Sequence, residues 1–195
     1  MTTSELALTL YHIGAVSLGE FKLHSGRISP IYIDLRLLAS FPSALRQAAA
    51  AYRLVLEKLR FDLIATAPLA GLPIGTAISL DMNIPLIYPR QSPKAYGSGK
   101  LVEGRWEEGQ TAVVIDDVTT SGDSILQTIL AVEEVGLRVT DAVLLIDREQ
   151  GGAQNIRAAG YNFHAVTSLT EILAHLEQAG RITSDQRHHV LSNLS

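Results

Sequence analysis

The chain has 195 residues, with Lys+Arg 16 against Asp+Glu 20 and a net charge of −4, so it is one domain's length and not a coat for nucleic acid. Hydrophobic residues make up 47% and charged residues 18%, which fits a packed core and excludes a disordered tail protein. Cys 0 removes disulfides, thiolate metal sites and cysteine nucleophiles, and suits a reducing compartment.

Apolar spacing predicts a first helix over 4–16, with Thr3 or Ser4 as its N-cap. This N-terminus lacks the basic segment and small-residue cleavage site of a secretory signal, and no apolar stretch is long enough to span a membrane. A cytoplasmic setting is therefore expected. Two short strands, 21–23 and 31–33, flank the turn residues His24, Ser25 and Gly26. A long helix over 42–59 begins with Pro42, where a first-turn proline is tolerated. A strand at 63–67 leads through the small-residue turn 67–73 into a helix ending near Asn83, and another strand covers 85–88.

From Pro89 to Gly109 the periodicity stops, and a loop of that length in a compact domain is expected to be functional. Strands follow at 111–115, 139–146 and 162–166, with helices at 124–135, 153–159, 168–178 and 184–194. The third of these helices opens with a capping box, Ser168 to Glu171. Apolar strands alternating with helices predict an α/β fold, with a mostly parallel central sheet covered on both faces. The expected organisation is one domain over 1–195, with 1–35 as a small N-terminal flap or hood and 89–109 as a flexible catalytic loop.

One strand end carries most of the chemistry. Four apolar residues, Ala112 to Ile115, run into Asp116-Asp117-Val118-Thr119-Thr120-Ser121-Gly122-Asp123-Ser124. Hydroxyls and backbone N–H groups converging where a helix begins suit a phosphate monoester. The acidic pair suits the hydroxyls of a sugar, or a hard cation bridged through water. A structural alternative is that the pair ends a strand and caps a helix.

This stretch resembles the 5-phosphoribosyl-1-pyrophosphate (PRPP) motif of the type I phosphoribosyltransferases. Three further stretches resemble the orotate phosphoribosyltransferases within that family: Phe21 to Asp34, Arg90-Gln91-Ser92-Pro93-Lys94-Ala95-Tyr96-Gly97, and Asp147-Arg148-Glu149-Gln150-Gly151-Gly152. The similarity runs in order over about 15–180. It implies that Asp116 and Asp117 meet the ribose hydroxyls, and that Thr119, Thr120, Ser121, Gly122, Asp123 and Ser124 hold the 5-phosphate. It also implies that Arg148 and Thr120 touch orotate, that Tyr32 covers the flat ring, and that Ala67 to Pro73 receives the diphosphate. Lys94, on the loop with Arg90, Gln91 and Tyr96, is expected to stabilise the leaving pyrophosphate. The family implies Mg²⁺ held mainly by PRPP, and a homodimer whose loop reaches the neighbouring subunit's site.

Arg148 can bind the orotate carboxylate bidentately, where Lys would act as a point charge. Its bland alternative is a rim ion pair with Asp147 or Glu149. The chain also departs from the family pattern, with His24 at a position usually held by Lys, Gln91 in place of the second loop lysine and Ala95 in place of the loop aspartate. Fewer cations at a polyanion site point either to weaker PRPP binding or to a shifted base specificity. Two other readings stand beside the orotate enzyme: a phosphoribosyltransferase for another base, and a PRPP-binding regulator without chemistry. The expected length leaves no room for a fused decarboxylase barrel.

Overall fold

The computed structural model describes residues 2–22, 26, 28–90 and 101–193. A sheet of six strands runs β5-β4-β3-β6-β7-β8, built from β3 (Leu63–Thr66), β4 (Leu86–Pro89), β5 (Val102–Glu103), β6 (Thr111–Thr119), β7 (Arg138–Asp147) and β8 (Asn162–Ser168). All neighbours are parallel except β5, which pairs antiparallel with β4. Alternate residues of the central strands point to opposite faces, and both faces are buried. Ile64, Val113, Ile115, Val143 and Leu145 face a layer made by α1 (Thr3–His12), α2 (Pro42–Leu56), α3 (Gly71–Met82), α6 (Leu169–Gln178) and α7 (Ser184–Ser192). Leu63, Ala65, Ala112, Val114, Ala142 and Leu144 face α4 (Asp123–Glu134) and α5 (Gly152–Ala158).

The chain leaves β3 towards β4 on one side and β6 towards β7 on the other. The crevice between the carboxyl ends of β3 and β6 is therefore the switch point at which open α/β sheets bind ligands. A separate two-stranded sheet, β1 (Val16–Lys22) with β2 (Ile28–Ile33), precedes the domain, whereas Leu6, Ala7 and Leu10 of α1 are buried in its main core.

Several boundaries differ from the sequence reading for identifiable reasons. Helix α1 starts earlier, because Thr2 is the cap: its hydroxyl accepts from the Glu5 N–H at 3.2 Å while the Glu5 carboxylate accepts from the Thr2 N–H at 2.8 Å. It also stops four residues short of Val16, which pairs with Ile33 and so starts β1 well before residue 21. Helix α2 ends at Leu56 rather than 59, and a 3-10 helix, Leu35–Ser40, precedes it where no element was expected. The span 89–109 includes β5, held by the pairs Tyr88 with Glu103 and Pro89 with Val102.

The largest difference lies in β6. It continues four residues beyond Ile115, because β7 keeps pairing with it after β3 has ended: Asp116 with Leu144, Val118 with Ile146, Thr119 with Asp147. The acidic pair therefore lies inside the strand rather than just past it. No helix among the described residues is long and apolar enough to cross a membrane.

Candidate active site

Two strand ends and two turns meet at the crevice. From β3 the chain passes through Ala67, whose N–H donates to the Ile115 carbonyl at 3.0 Å, into the turn Pro68-Leu69-Ala70. Helix α3 then opens at Gly71, where a Cβ would lie 3.5 Å from Asp116 Oδ1. The small-residue turn thus abuts the acidic pair, and Leu69 at its tip is 65% exposed.

Asp116 and Asp117 are 6% and 9% exposed, unusually buried for carboxylates without an ion pair. The Asp116 carboxylate accepts from the Asp117 N–H at 2.9 Å and from the Ser124 hydroxyl at 3.1 Å; that of Asp117 accepts from the Val118 N–H at 2.8 Å. Burial, reinforced by the neighbouring Asp117 charge, pushes the Asp116 carboxyl up to about 7. Burial raises Asp117 as well, against the opposing pull of the Val118 N–H and, more weakly, of Arg36.

Behind the pair lies Tyr52 of α2, fully buried, whose hydroxyl donates to the Asp116 carbonyl at 2.5 Å. Its own ionisation is pushed well up, first by burial and then by the two carboxylates.

After β6 the chain turns through Thr120 and Ser121 into Gly122, the N-cap of α4, at φ 90°. That left-handed conformation favours glycine. The Ser121 hydroxyl donates to Asp123 Oδ2 at 2.7 Å. Thr120, Ser121, Asp123 and Ser124 are exposed residues at the start of a helix of 12 residues, although the Ser124 hydroxyl turns in to Asp116.

Arg148 follows β7, and because Thr119 pairs with Asp147, Thr120 and Arg148 leave the sheet side by side. Neither flanking carboxylate pairs with it. Asp147 Oδ1 accepts from the Glu149 N–H at 2.8 Å, and Glu149 Oε2 accepts from the Thr170 N–H at 2.8 Å. Among the described residues Arg148 makes no ion pair, and its buried Nε has no hydrogen-bond partner. Burial alone pulls its pKa below the ordinary guanidinium value. The rim ion pair is thus not formed, and the arginine finds no anion among the described residues.

Tyr32, 39% exposed, stacks on Phe21 with ring centroids 5.4 Å apart, and its hydroxyl accepts from Arg36 Nη2 at 3.3 Å. Arg36 also pairs with Asp34 at 2.7 Å, and its field reaches Asp117. The sequence reading passed over Arg36; the available signal was a second cation in register with Tyr32 on the same stretch. Arg90 pairs with Glu103 at 2.6 Å, and its N–H donates to the Leu101 carbonyl at 2.8 Å. It shares a cleft of about 470 Å³ with Pro68, Ser124, Gln127 and Thr128, which brings the small-residue turn, the start of α4 and Arg90 together. A larger cleft of about 680 Å³, between α1 and α2, contains none of the expected residues. His24, Gln91, Lys94, Ala95 and Tyr96 lie outside the described residues.

No protein-family model matches the chain. Among curated proteins, it is 38% identical over 188 residues to an orotate phosphoribosyltransferase of Caenorhabditis elegans, covering 95% of this chain and 83% of that one. It is 40% identical over 182 residues to a bifunctional PyrF/PyrE enzyme of a Nostoc species, covering 93% of this chain but only 38% of that protein. Among solved structures, the UMP synthase of Leishmania donovani superposes with a TM-score of 0.90 at 39% identity, over 100% of this chain and 42% of that one. The orotate phosphoribosyltransferase of Aeropyrum pernix gives a TM-score of 0.75 at 34% identity, over 90% and 99%. That of Mycobacterium tuberculosis, solved in complex with PRPP, gives 0.72 at 28%, over 87% and 97%. With a crevice at the switch point, a buried acidic pair beside a hydroxyl-rich loop, and this degree of similarity over most of its length, the chain belongs to the orotate phosphoribosyltransferase family.

Proposed function

We propose that this chain transfers the 5-phosphoribosyl group of PRPP to orotate, giving orotidine 5′-phosphate and pyrophosphate in pyrimidine nucleotide biosynthesis, in the cytoplasm. The observation that carries the reading is the side-by-side exit of Thr120 and a half-buried Arg148 whose buried Nε has no partner among the described residues. A neutral base would leave that guanidinium without a counter-charge; orotate brings a carboxylate to it.

In this reading the hydroxyls and N–H groups of Thr119, Thr120, Ser121, Gly122, Asp123 and Ser124 hold the 5-phosphate at the start of α4. Asp116 and Asp117 accept hydrogen bonds from the ribose hydroxyls. Arg148 and Thr120 fix orotate so that its N1 faces C1′, and Tyr32 covers the ring. The C1′–O bond to the diphosphate breaks as the N1–C1′ bond forms, and the sugar carries oxocarbenium character between them. The electron pair of the broken bond leaves with pyrophosphate and the N1 proton of orotate is released to pyrophosphate or to solvent, so no covalent enzyme intermediate is needed.

Lys94 and Arg90 neutralise the departing charge, and Gln91, Tyr96 and His24 complete that side of the pocket; Lys94 is assigned by its loop motif. Within the expected 1–35 flap the β1–β2 sheet acts as the hood, since α1 belongs to the main core, and 89–109 acts as the loop that excludes water, all within a single domain.

The donor set fits a divalent cation that travels with the substrate. Among the described residues, two buried carboxylates make no ion pair, and no cluster of three or more His, Asp or Glu gathers. Mg²⁺ held by PRPP and met through water by Asp116 and Asp117 would supply charge neutralisation of the leaving group. The family resemblance adds a homodimer in which Lys94 serves the neighbouring subunit's site, and light scattering of the active protein should report two chains per particle.

The test is Arg148→Lys. A point charge cannot reproduce a bidentate contact, so kcat/KM for orotate should fall by about 10- to 100-fold, while KM for PRPP changes less than about twofold. Unchanged orotate kinetics would remove Arg148 from the site.

A further inference from the structure

The phosphate loop and the Arg148 turn touch each other backbone to backbone. A Cβ on Gly152 would lie 2.7 Å from Thr119 Oγ1 and 2.9 Å from the Thr120 carbonyl. Real Cβ atoms do not approach that closely, so the absence of a side chain is what allows the contact. From the other side, a Cβ on Gly122 would lie 3.1 Å from the Gly152 carbonyl and 3.2 Å from Ile156. The two turns are seated against each other at two glycines, with the Thr119 side chain and the Thr120 carbonyl lying directly over Gly152.

One side chain locks the contact. Asn155, on the exposed side of α5, donates from Nδ2 to the Ser121 carbonyl at 2.9 Å. Its own main-chain N–H donates to the Gly151 carbonyl at 3.0 Å, so the same residue is anchored at the end of the Arg148 turn. A hydrogen bond to the Ser121 carbonyl orients the peptide that follows it, and the N–H of that peptide belongs to Gly122, at the cap of α4. The loop that would hold the phosphate is therefore aligned from the segment that carries Arg148.

We infer that Asn155 is a positioning residue for phosphoribosyl transfer: it holds the 121–124 loop in its phosphate-binding conformation and fixes that loop against the turn bearing Arg148. The inference rests on the assignment of this loop to the 5-phosphate. Asn155 touches neither substrate in this account and acts through Ser121. Because it is exposed, its loss should leave the core intact, which separates a positioning role from a merely structural one.

The experiment compares the wild type with Asn155→Ala and Asn155→Gln in steady-state kinetics, with each substrate varied in turn. Melting temperatures and calorimetric titration with ribose 5-phosphate are recorded on the same samples. Asn155→Ala should raise KM for PRPP and weaken ribose 5-phosphate by about three- to tenfold, the factor of a single hydrogen bond. KM for orotate should move less than about twofold and the melting temperature by no more than about 2 °C, the size of a surface substitution. Asn155→Gln, which keeps the amide donor, should recover at least half of the lost affinity.

Wild-type ribose 5-phosphate affinity in Asn155→Ala would overturn the inference. So would equal losses for both substrates with a lower melting temperature, or equal losses in the Gln variant. A wild-type protein that binds no ribose 5-phosphate would instead overturn the assignment of the loop itself.

Discussion

Asp116 has a carbonyl tied to a buried phenol, a carboxylate tied to Ser124, and a second carboxylate as its sequence neighbour. The hydrogen bonds from the Asp117 N–H and the Ser124 hydroxyl offset only part of the cost of its charge, and burial pushes it up to about 7. The consequence for stability has a definite sign. The unfolded chain releases this proton near the ordinary value of 3.8, whereas the folded chain keeps it to about 7, so folding is favoured at low pH and loses that contribution as pH rises between the two. Asp116→Asn removes the effect. The melting temperature of the wild type, relative to that variant, should fall from pH 4 to pH 7 and level off above it, as followed by circular dichroism. A wild type that gains stability over the Asn variant in that window would contradict the burial of an uncompensated carboxylate. Substrate pulls the other way, since ribose hydroxyls and a diphosphate-bound cation favour the ionised pair. Ribose 5-phosphate with a divalent cation should therefore release protons on binding near neutral pH.

At the scale of elements, β6 shows which structure local patterns can carry. The apolar run Ala112 to Ile115 and the turn after it are legible in sequence, as are the parallel sheet and the capping box of α6. The extra length of β6 is not, because it depends on β7 continuing beyond the point where β3 ends. For the same reason β5, two residues long, is invisible outside its pairing with β4. The candidate site divides in the same way. Asp116, Thr120 and Arg148 announce themselves through motifs, while Tyr52, Arg36 and Asn155 enter only through contacts that span the fold.

Tyr52 is the clearest case, since an aromatic residue on an apolar helix face reads simply as core. Its hydroxyl reaches 64 positions along the chain to the Asp116 carbonyl. Tyr52→Phe keeps the ring and leaves that carbonyl unsatisfied, which costs about 1–3 kcal/mol. The melting temperature should drop by several degrees and KM for PRPP should rise more than KM for orotate; identical melting curves would show that the hydrogen bond contributes nothing.

For the whole molecule, the arrangement of the sheet decides the function. Strands β3, β6 and β7 end at one crevice, and each contributes a different part of the site: a small-residue turn, an acidic pair with a hydroxyl loop, and a half-buried arginine. The departures at His24 and Gln91 reduce positive charge at positions outside the described residues. The frame predicts a working orotate enzyme rather than a PRPP-binding regulator. The decisive measurement incubates the purified protein with PRPP and Mg²⁺ and each of orotate, uracil and adenine, following the loss of orotate absorbance and identifying the nucleotide formed. Orotate should be converted to orotidine 5′-phosphate, at least about 100-fold faster than either neutral base, as expected where a half-buried arginine needs a counter-charge. Conversion of uracil or adenine in preference to orotate, or no conversion of any base by a protein that still binds PRPP, would contradict it.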